Sequence, residues 1–217
     1  IEQIISSHSN VFSAGELPFL NRSISKYLID NKFSFENIDL KIFNQIKNEY
    51  HEGINSFDYD GKIVTDKAPL NFRWIGFIKI LFPDSKIIHC KRNPMDVCFS
   101  NYKNSFNSKA LSFGYDFKNL SNYYKLYEDL MDFWNTKITN GIYNLSYENL
   151  INNYEEETKK IIQFCDLDWE VNCLKSHKNK SKVATASLAQ VRKPIYKSSL
   201  NKWEKYSNYL GDLKKNF

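Results

Sequence analysis

Apolar residues recur along this chain in two rhythms. Spacings of three and four predict helices over Ile1–Ser7, Leu17–Asn31, Asp39–His51, Leu70–Leu81, Met95–Asn107, Leu120–Thr136, Tyr154–Cys165 and Glu170–His177. Short β-branched or aliphatic runs predict strands at Ile63–Thr65, Lys86–Cys90 and Ile142–Leu145. Helices separate the strands, which predicts an α/β fold with a parallel sheet covered on both faces. The longest helix sets Leu120, Tyr123, Tyr124, Tyr127, Leu130, Met131 and Trp134 along one broad stripe, which reads as core. The C-terminal stretch differs in character. Lys178–Lys182 is basic and Val183–Gln190 small and mixed, and an ordered loop through Arg192, Lys193, Pro194 and Lys197 leads into a short helix over Ser198–Tyr206. Ile1, Ile4 and Ile5 already share a helical face, so the chain reads as a fragment that starts inside a helix.

Composition narrows the class. At 217 residues the chain fits one domain with a real core, and 42% hydrophobic with 16% aromatic residues excludes a disordered chain. The formal charge of +5 suits an anionic ligand but does not demand nucleic acid, and taken alone it reads as surface lysines. No apolar run spans a membrane: Trp74–Phe82 comes nearest, and Lys79 interrupts it. There is no secretory signal. None of the four cysteines, Cys90, Cys98, Cys165 and Cys173, forms a Cys-x-x-Cys pair, and the four histidines lack metal spacing, so no metal site is expected. Reduced thiols fit a cytoplasmic protein, Cys90 reads as a core residue, and spacing leaves a Cys165–Cys173 bridge open. His89, inside a strand, reads as packed there.

In a parallel sheet, ligands bind at the carboxyl ends of strands. Those ends here are Asp66-Lys67, Lys91-Arg92 and Ser146-Tyr147. Arg92 precedes an Asn93-Pro94 helix start, with Asp96 in the capping-box position, and Ser100 follows about two turns later. A guanidinium, a helix N-terminus and a hydroxyl on one helix can converge on a phosphate. The ordinary alternative pairs Arg92 with a carboxylate and leaves Ser100 solvated. Lys67 could meet negative charge on a transferred group, and Glu16, in the loop Ser13-Ala14-Gly15-Glu16-Leu17-Pro18, could serve as a general base. Taken singly, a surface lysine and a first-turn glutamate are the stronger readings.

Taken together and in order, these segments resemble sulfotransferases that use 3′-phosphoadenosine-5′-phosphosulfate (PAPS). The likeness is nearest to bacterial domains that follow tetratricopeptide repeats, and to the tyrosylprotein sulfotransferases. The carrying motifs are Ile4–His8 through Gly15–Pro18, Asp66–Phe72, Leu81–Ile88 with Arg92–Ser100, Ser146–Leu150, and Ala186–Tyr196 followed by Lys202-Trp203. Each is weak alone. The resemblance covers nearly the whole chain.

That resemblance implies a P-loop-like three-layer fold, a central parallel sheet flanked by helices. It implies that Arg92 and Ser100 hold the cofactor's 3′-phosphate, that Tyr147 lies beside the nucleotide, and that Lys193 and Lys202 belong to a gripping C-terminal loop. Lys67 would stabilise the transition state, Ser187 would lie near the sulfuryl group, and Glu16 would be the base. The donor would be PAPS and the product 3′-phosphoadenosine-5′-phosphate (PAP). The acceptor would bear a hydroxyl, on protein tyrosine, carbohydrate or a small molecule, chosen by loops around Phe12–Arg22 and Asn107–Tyr115. The resemblance leaves room for upstream tetratricopeptide repeats, for a homodimer and, in a eukaryotic tyrosylprotein-type enzyme, for the Golgi lumen.

Two departures stand out. Ile1-Glu2-Gln3 resembles the residues right after the family's Pro-x-Ser-Gly-Thr loop, which binds the 5′-phosphosulfate, so that loop and the strand before it are expected to be missing from this chain. A chain without them is expected to bind PAP weakly and transfer little sulfate. The tyrosylprotein enzymes also carry a basic residue where this chain has Asn104, with Lys103 adjacent. Two rival readings are a nucleotide-dependent, kinase-like phosphotransferase, for which Asp66 is the one acidic magnesium ligand placed after a strand, and a non-catalytic basic binding module.

Overall fold

The computed structural model describes residues 1–29, 39–104, 109–179 and 191–217. Two units are distinguished, Ile1–Ser85 with Asp166–Pro194 and Lys86–Cys165 with Ile195–Phe217.

In the first unit, α1 (Glu2–Ile5) leads to β1 (Val11–Ser13), and α2 (Phe19–Ile24) runs on as a π-helical turn over Ser25–Ile29. Then come α3 (Leu40–Asn55), β2 (Ile63–Thr65), a 3-10 turn over Pro69–Trp74 and α4 (Ile75–Leu81). β1 and β2 pair in parallel, Val11 opposite Ile63 and Ser13 opposite Thr65. The Ala14 N–H donates to the Thr65 carbonyl at 3.1 Å and carries the ladder one step further.

Asp39 caps α3 by accepting the Lys41 N–H at 2.9 Å, and helical spacing then puts Phe43, Ile46 and Ile54 on its inner face. Phe43 and Ile46 close a core with Leu20, Ile24 and Leu81. Burial of each such side chain contributes about 1.5–3 kcal/mol. Gly53 is where the Phe19 ring comes against α3: a Cβ there would stand 2.5 Å from a ring carbon. A 3-10 segment, Val171–Lys178, belongs to the same unit. The buried His8 ring ties its approach to the chain's start, with Nε2 bonded to the Asp168 carbonyl at 2.8 Å and Nδ1 accepting the Asn10 N–H at 3.1 Å.

The second unit holds β3 (Ile87–Lys91), α5 (Pro94–Lys103), α6 (Phe117–Lys137), β4 (Ile142–Ser146), α7 (Tyr147–Asn152) and α8 (Tyr154–Phe164). A 3-10 segment, Lys202–Tyr209, and α9 (Gly211–Lys214) end the chain. β3 and β4 are parallel and in register from Ile87 opposite Ile142 to Lys91 opposite Ser146. Asn93 caps α5 by accepting the Asp96 N–H at 3.2 Å, with Pro94 in the first turn. Met95, Cys98 and Phe99 of α5 pack with Leu120 and Tyr124 of α6 and with Leu210 and Leu213.

The α/β class, the parallel pairing and all three expected strands are present. Several expected features differ. β1 is additional to the expected strands: Val11-Phe12-Ser13 lacks the β-branched run Ile63-Val64-Thr65 that marks β2, a strand of equal length. α7 was not expected; it starts directly after β4, where Ser146 accepts the Asn149 N–H at 3.2 Å. The expected helix over Leu70–Leu81 opens as a 3-10 turn, and the one over Ser198–Tyr206 is a 3-10 segment that starts later, at Lys202. The stripe on α6 is core at Leu120, Tyr124 and Met131, while Tyr123, Tyr127, Leu130 and Trp134 are half-buried. Cys90 is exposed and not core, because within its unit β3 has a strand neighbour, β4, on one edge alone among the described residues. No disulfide joins Cys165 and Cys173. The segment 180–190, including the mixed run expected over Val183–Gln190, lies outside the described residues. Among the described residues no helix is long and apolar enough to cross a membrane.

Gly53→Val forces a branched side chain against the Phe19 ring. It is expected to lower unfolding stability by about 2 kcal/mol in urea denaturation, whereas an unchanged midpoint would show that α2 can move away freely.

Candidate active site

The carboxyl ends of β1 and β2 hold the first cluster. Beyond Ser13 the chain turns through Gly15, whose φ of +72° is a conformation that glycine adopts at no steric cost. The turn is anchored on both sides. Glu2 Oε1 accepts the Ser13 hydroxyl and the Gly15 N–H, each at 2.9 Å. The Gly15 carbonyl accepts the Lys67 N–H at 2.8 Å. Asp66 Oδ1 accepts the Leu17 N–H at 3.4 Å. So held, the Glu16 carboxylate and the Lys67 ammonium form an ion pair, both partly open to solvent. Behind it, Asp66 also accepts the Tyr50 hydroxyl at 3.2 Å and Asn71 Nδ2 at 3.5 Å. Burial pushes the Asp66 carboxyl up to about 6, and the same burial, with the Asp66 charge beside it, raises the Tyr50 phenol.

The second cluster lies where β3 runs into α5. The Arg92 guanidinium stacks over the Tyr147 ring, 4.8 Å from its centroid. One terminal nitrogen donates to the Ser199 carbonyl at 2.5 Å and lies 3.4 Å from Asp96 Oδ2. The Tyr147 hydroxyl bonds Ser199 Oγ at 2.7 Å. Asp96, 2% exposed, accepts the Asn201 N–H at 2.8 Å and the Trp203 N–H at 3.4 Å. Arg92 and Asp96 thus tie the segment 199–203 to the start of α5.

Two further features bear on what this cluster could hold. Arg92 Nε is buried without a hydrogen-bond partner among the described residues. Lys103, on the last turn of α5, stands close enough to Lys202 and Arg92 for their charges to add to burial in holding its ammonium below the ordinary lysine range. Cations held together with a donor left over are a good fit for phosphate oxygens. Beside them a cavity of about 440 Å³ is lined by Lys91, Arg92, Asn93, Ser146, Glu148 and Asn201. Burial alone would raise the Glu148 carboxyl, but hydrogen bonds from the Asn93 N–H at 2.9 Å and the Ser146 hydroxyl at 3.0 Å outweigh it and leave the group below the usual range.

The structure therefore brings Glu16 and Lys67 together, and separately Arg92, Tyr147 and Lys202. Ser100 is half-buried on the helix that Arg92 precedes. Lys193 is exposed and belongs to the first unit, and Ser187 lies outside the described residues. Sequence reasoning missed Glu2, Asp96, Ser199 and Asn201, and gave Lys103 only a place beside Asn104. The Arg92–Asp96 spacing of one helical turn was the available signal for Asp96.

Residues 1–171 match the model of a family described as "Sulfotransferase family". The chain belongs to the sulfotransferase family. It is 34% identical over 223 aligned positions to an uncharacterized protein of Aquifex aeolicus (strain VF5). That match takes in 96% of this chain but 29% of the relative, so the chain spans under a third of its length. Two solved structures share the fold. A sulfotransferase domain from the curacin biosynthetic pathway superposes with a TM-score of 0.65 at 13% identity, over 94% of this chain and 84% of that one. A sulfotransferase domain from the Synechococcus PCC 7002 olefin synthase gives 0.68 at 16%, over 94% and 81%. The expected fold class is thereby established for this sulfotransferase-family chain.

Asp96→Ala leaves the N–H groups of Asn201 and Trp203 without their acceptor, at about 1–3 kcal/mol for each buried group. Amide hydrogen exchange at these two residues is expected to accelerate at least about tenfold while α6 keeps its protection; unchanged exchange would show that the segment is held by other contacts.

Proposed function

We propose that this chain moves a sulfuryl group from PAPS to a hydroxyl acceptor, with Glu16 as general base. The observation that carries the reading is the Glu16–Lys67 ion pair at the carboxyl ends of two parallel strands, on a turn anchored from both sides. In a sulfotransferase-family chain these are the two charges such a transfer needs: one accepts a proton, the other meets developing negative charge.

When bound, PAPS supplies the activated sulfuryl group and leaves as PAP. Glu16 takes the proton of the acceptor hydroxyl as that oxygen forms its bond to sulfur. The sulfur–oxygen bond to the nucleotide phosphate breaks, and its electron pair stays with the phosphate. Lys67 faces the charge that gathers on the bridging oxygen, and Ser187 is assigned to the sulfuryl oxygens. Until an acceptor arrives, the Lys67 ammonium orients the Glu16 carboxylate, so the base is preset and little reorganisation is required.

The second unit is assigned the nucleotide. Arg92 offers its free Nε and Lys103 and Lys202 their ammonium groups to the 3′-phosphate, with Ser100 on the same helix. Tyr147 is placed beside the nucleotide, and Lys193 is kept with the gripping loop. The acceptor is a hydroxyl of protein tyrosine, carbohydrate or a small molecule. The compartment is proposed to be the cytoplasm, where thiols stay reduced.

The test is sulfate transfer by the complete protein, with radiolabelled PAPS and a panel of phenolic, sugar and alkyl hydroxyl acceptors. Glu16→Gln is expected to lower turnover by about 10²-fold or more while PAP still binds within about twofold. Wild-type turnover in the variant would remove Glu16 from its role, and a protein that neither binds PAP nor transfers sulfate would sink the reading as a whole.

A further inference from the structure

We infer that Asp66 is a positioning residue: its carboxylate grips the Leu17 N–H and thereby fixes where the Glu16 side chain meets Lys67. The inference rests on the reading of Glu16 as the base, and it adds a residue that acts through another.

Glu16 has an anchored neighbour on each side. Gly15 is fixed through its N–H by Glu2 Oε1 and through its carbonyl by the Lys67 N–H. Leu17 is fixed through its N–H by Asp66 Oδ1. Without the second anchor, the turn keeps Gly15 in place but is free to rotate the peptide that follows Glu16. Asp66 also directly precedes Lys67 in the chain. One side chain thus references both members of the pair: the base through Leu17, the lysine through the shared backbone.

The carboxylate is itself fixed from two directions. Tyr50 of α3 and Asn71 of the 3-10 turn both donate to Oδ2, which leaves Oδ1 facing Leu17. These contacts are long, and their effect lies in acting together on one partly buried group. The ionisable groups around it are Tyr50 from α3, Glu2 from α1, and Glu16 and Lys67 on either side of the turn it holds. Burial and the Glu2 charge favour the protonated form, while the hydrogen bonds from Leu17, Tyr50 and Asn71 favour the ionised one; burial prevails, and the carboxyl titrates at about 6. Ionised, both oxygens are free to accept. Protonated, one of them carries a proton and loses acceptor capacity. The hold on Leu17 therefore grows as pH rises through about 6 and weakens as pH falls through it.

Two measurements on the complete protein test this. The first follows the Leu17 amide by NMR from about pH 5 to about pH 8. Its resonance is expected to move with a midpoint near 6. The movement should vanish in Asp66→Asn and shift to higher pH in Tyr50→Phe, which deletes a hydrogen bond to the ionised form. The second is sulfate turnover. Asp66→Ala is expected to lose about 10- to 100-fold in kcat with the KM for PAPS within about twofold. Asp66→Asn, which keeps an oxygen for Leu17, should retain about a tenth or more of kcat at high pH and lose the fall in rate below about 6. A Leu17 amide indifferent to pH in this range overturns the inference, whether or not the protein transfers sulfate. A Leu17 amide that titrates in a protein without sulfotransferase activity upholds the grip of Asp66 and sinks the reading of Glu16 as base.

Discussion

A turn that carries a charged side chain has backbone N–H groups that neither a strand nor a helix pairs, and here carboxylates take them up. Asp96 accepts the N–H groups of Asn201 and Trp203, which flank Lys202. Glu2 and Asp66 accept those of Gly15 and Leu17, which flank Glu16. An unpaired buried N–H costs about 1–3 kcal/mol, so each carboxylate does more than add a bond: it makes the alternative backbone paths expensive. The charged side chains then project from positions fixed by their neighbours and not by their own contacts. Helical capping repeats the device, with Asn93 on α5 and Ser146 on α7.

Short parallel strands set the stage for this. β1 and β2 are three residues each and β3 and β4 five each, so the ladders end quickly, and Glu16, Lys67, Arg92 and Tyr147 lie just beyond them. Leaving a strand early frees the backbone to turn, and the turn must be stabilised by side chains. In both units the acids that do this are within a few residues of a strand's carboxyl end or reach it from a helix, as Glu2 does from α1. The cost is visible in Asp66, whose carboxyl is pushed up to about 6 by the burial its task requires.

Much of this was legible in the sequence. Asn93-Pro94 marks a helix start on chemistry alone, and α5 begins there with the cap bond in place. The residues after the three expected strands, Asp66-Lys67, Lys91-Arg92 and Ser146-Tyr147, all fall at the clusters. β1 was harder to read than β2, of equal length, because Val11-Phe12-Ser13 lacks a run of β-branched residues such as Ile63-Val64-Thr65. The anchoring roles of Asp66 and Glu2 were hidden for another reason: an acid that accepts a distant backbone N–H looks no different in a sequence from an acid in solvent. The crowding of Lys103 against Lys202 spans the two ends of the second unit's chain, so no local window contains it. Cys90 misled because a cysteine in an apolar run reads as core, whereas here it is exposed.

The cations around Arg92 are proposed to read a 3′-phosphate in this sulfotransferase-family chain. Calorimetric titration of the complete protein with PAP and with adenosine 5′-phosphate, in the wild type and in Lys103→Ala, tests it most directly. PAP is expected to bind at least about 10²-fold more tightly than adenosine 5′-phosphate. Lys103→Ala is expected to weaken PAP by about tenfold and to leave the other nucleotide within about twofold. Equal affinity for the two nucleotides, or a preference for PAP that the variant leaves intact, would contradict it.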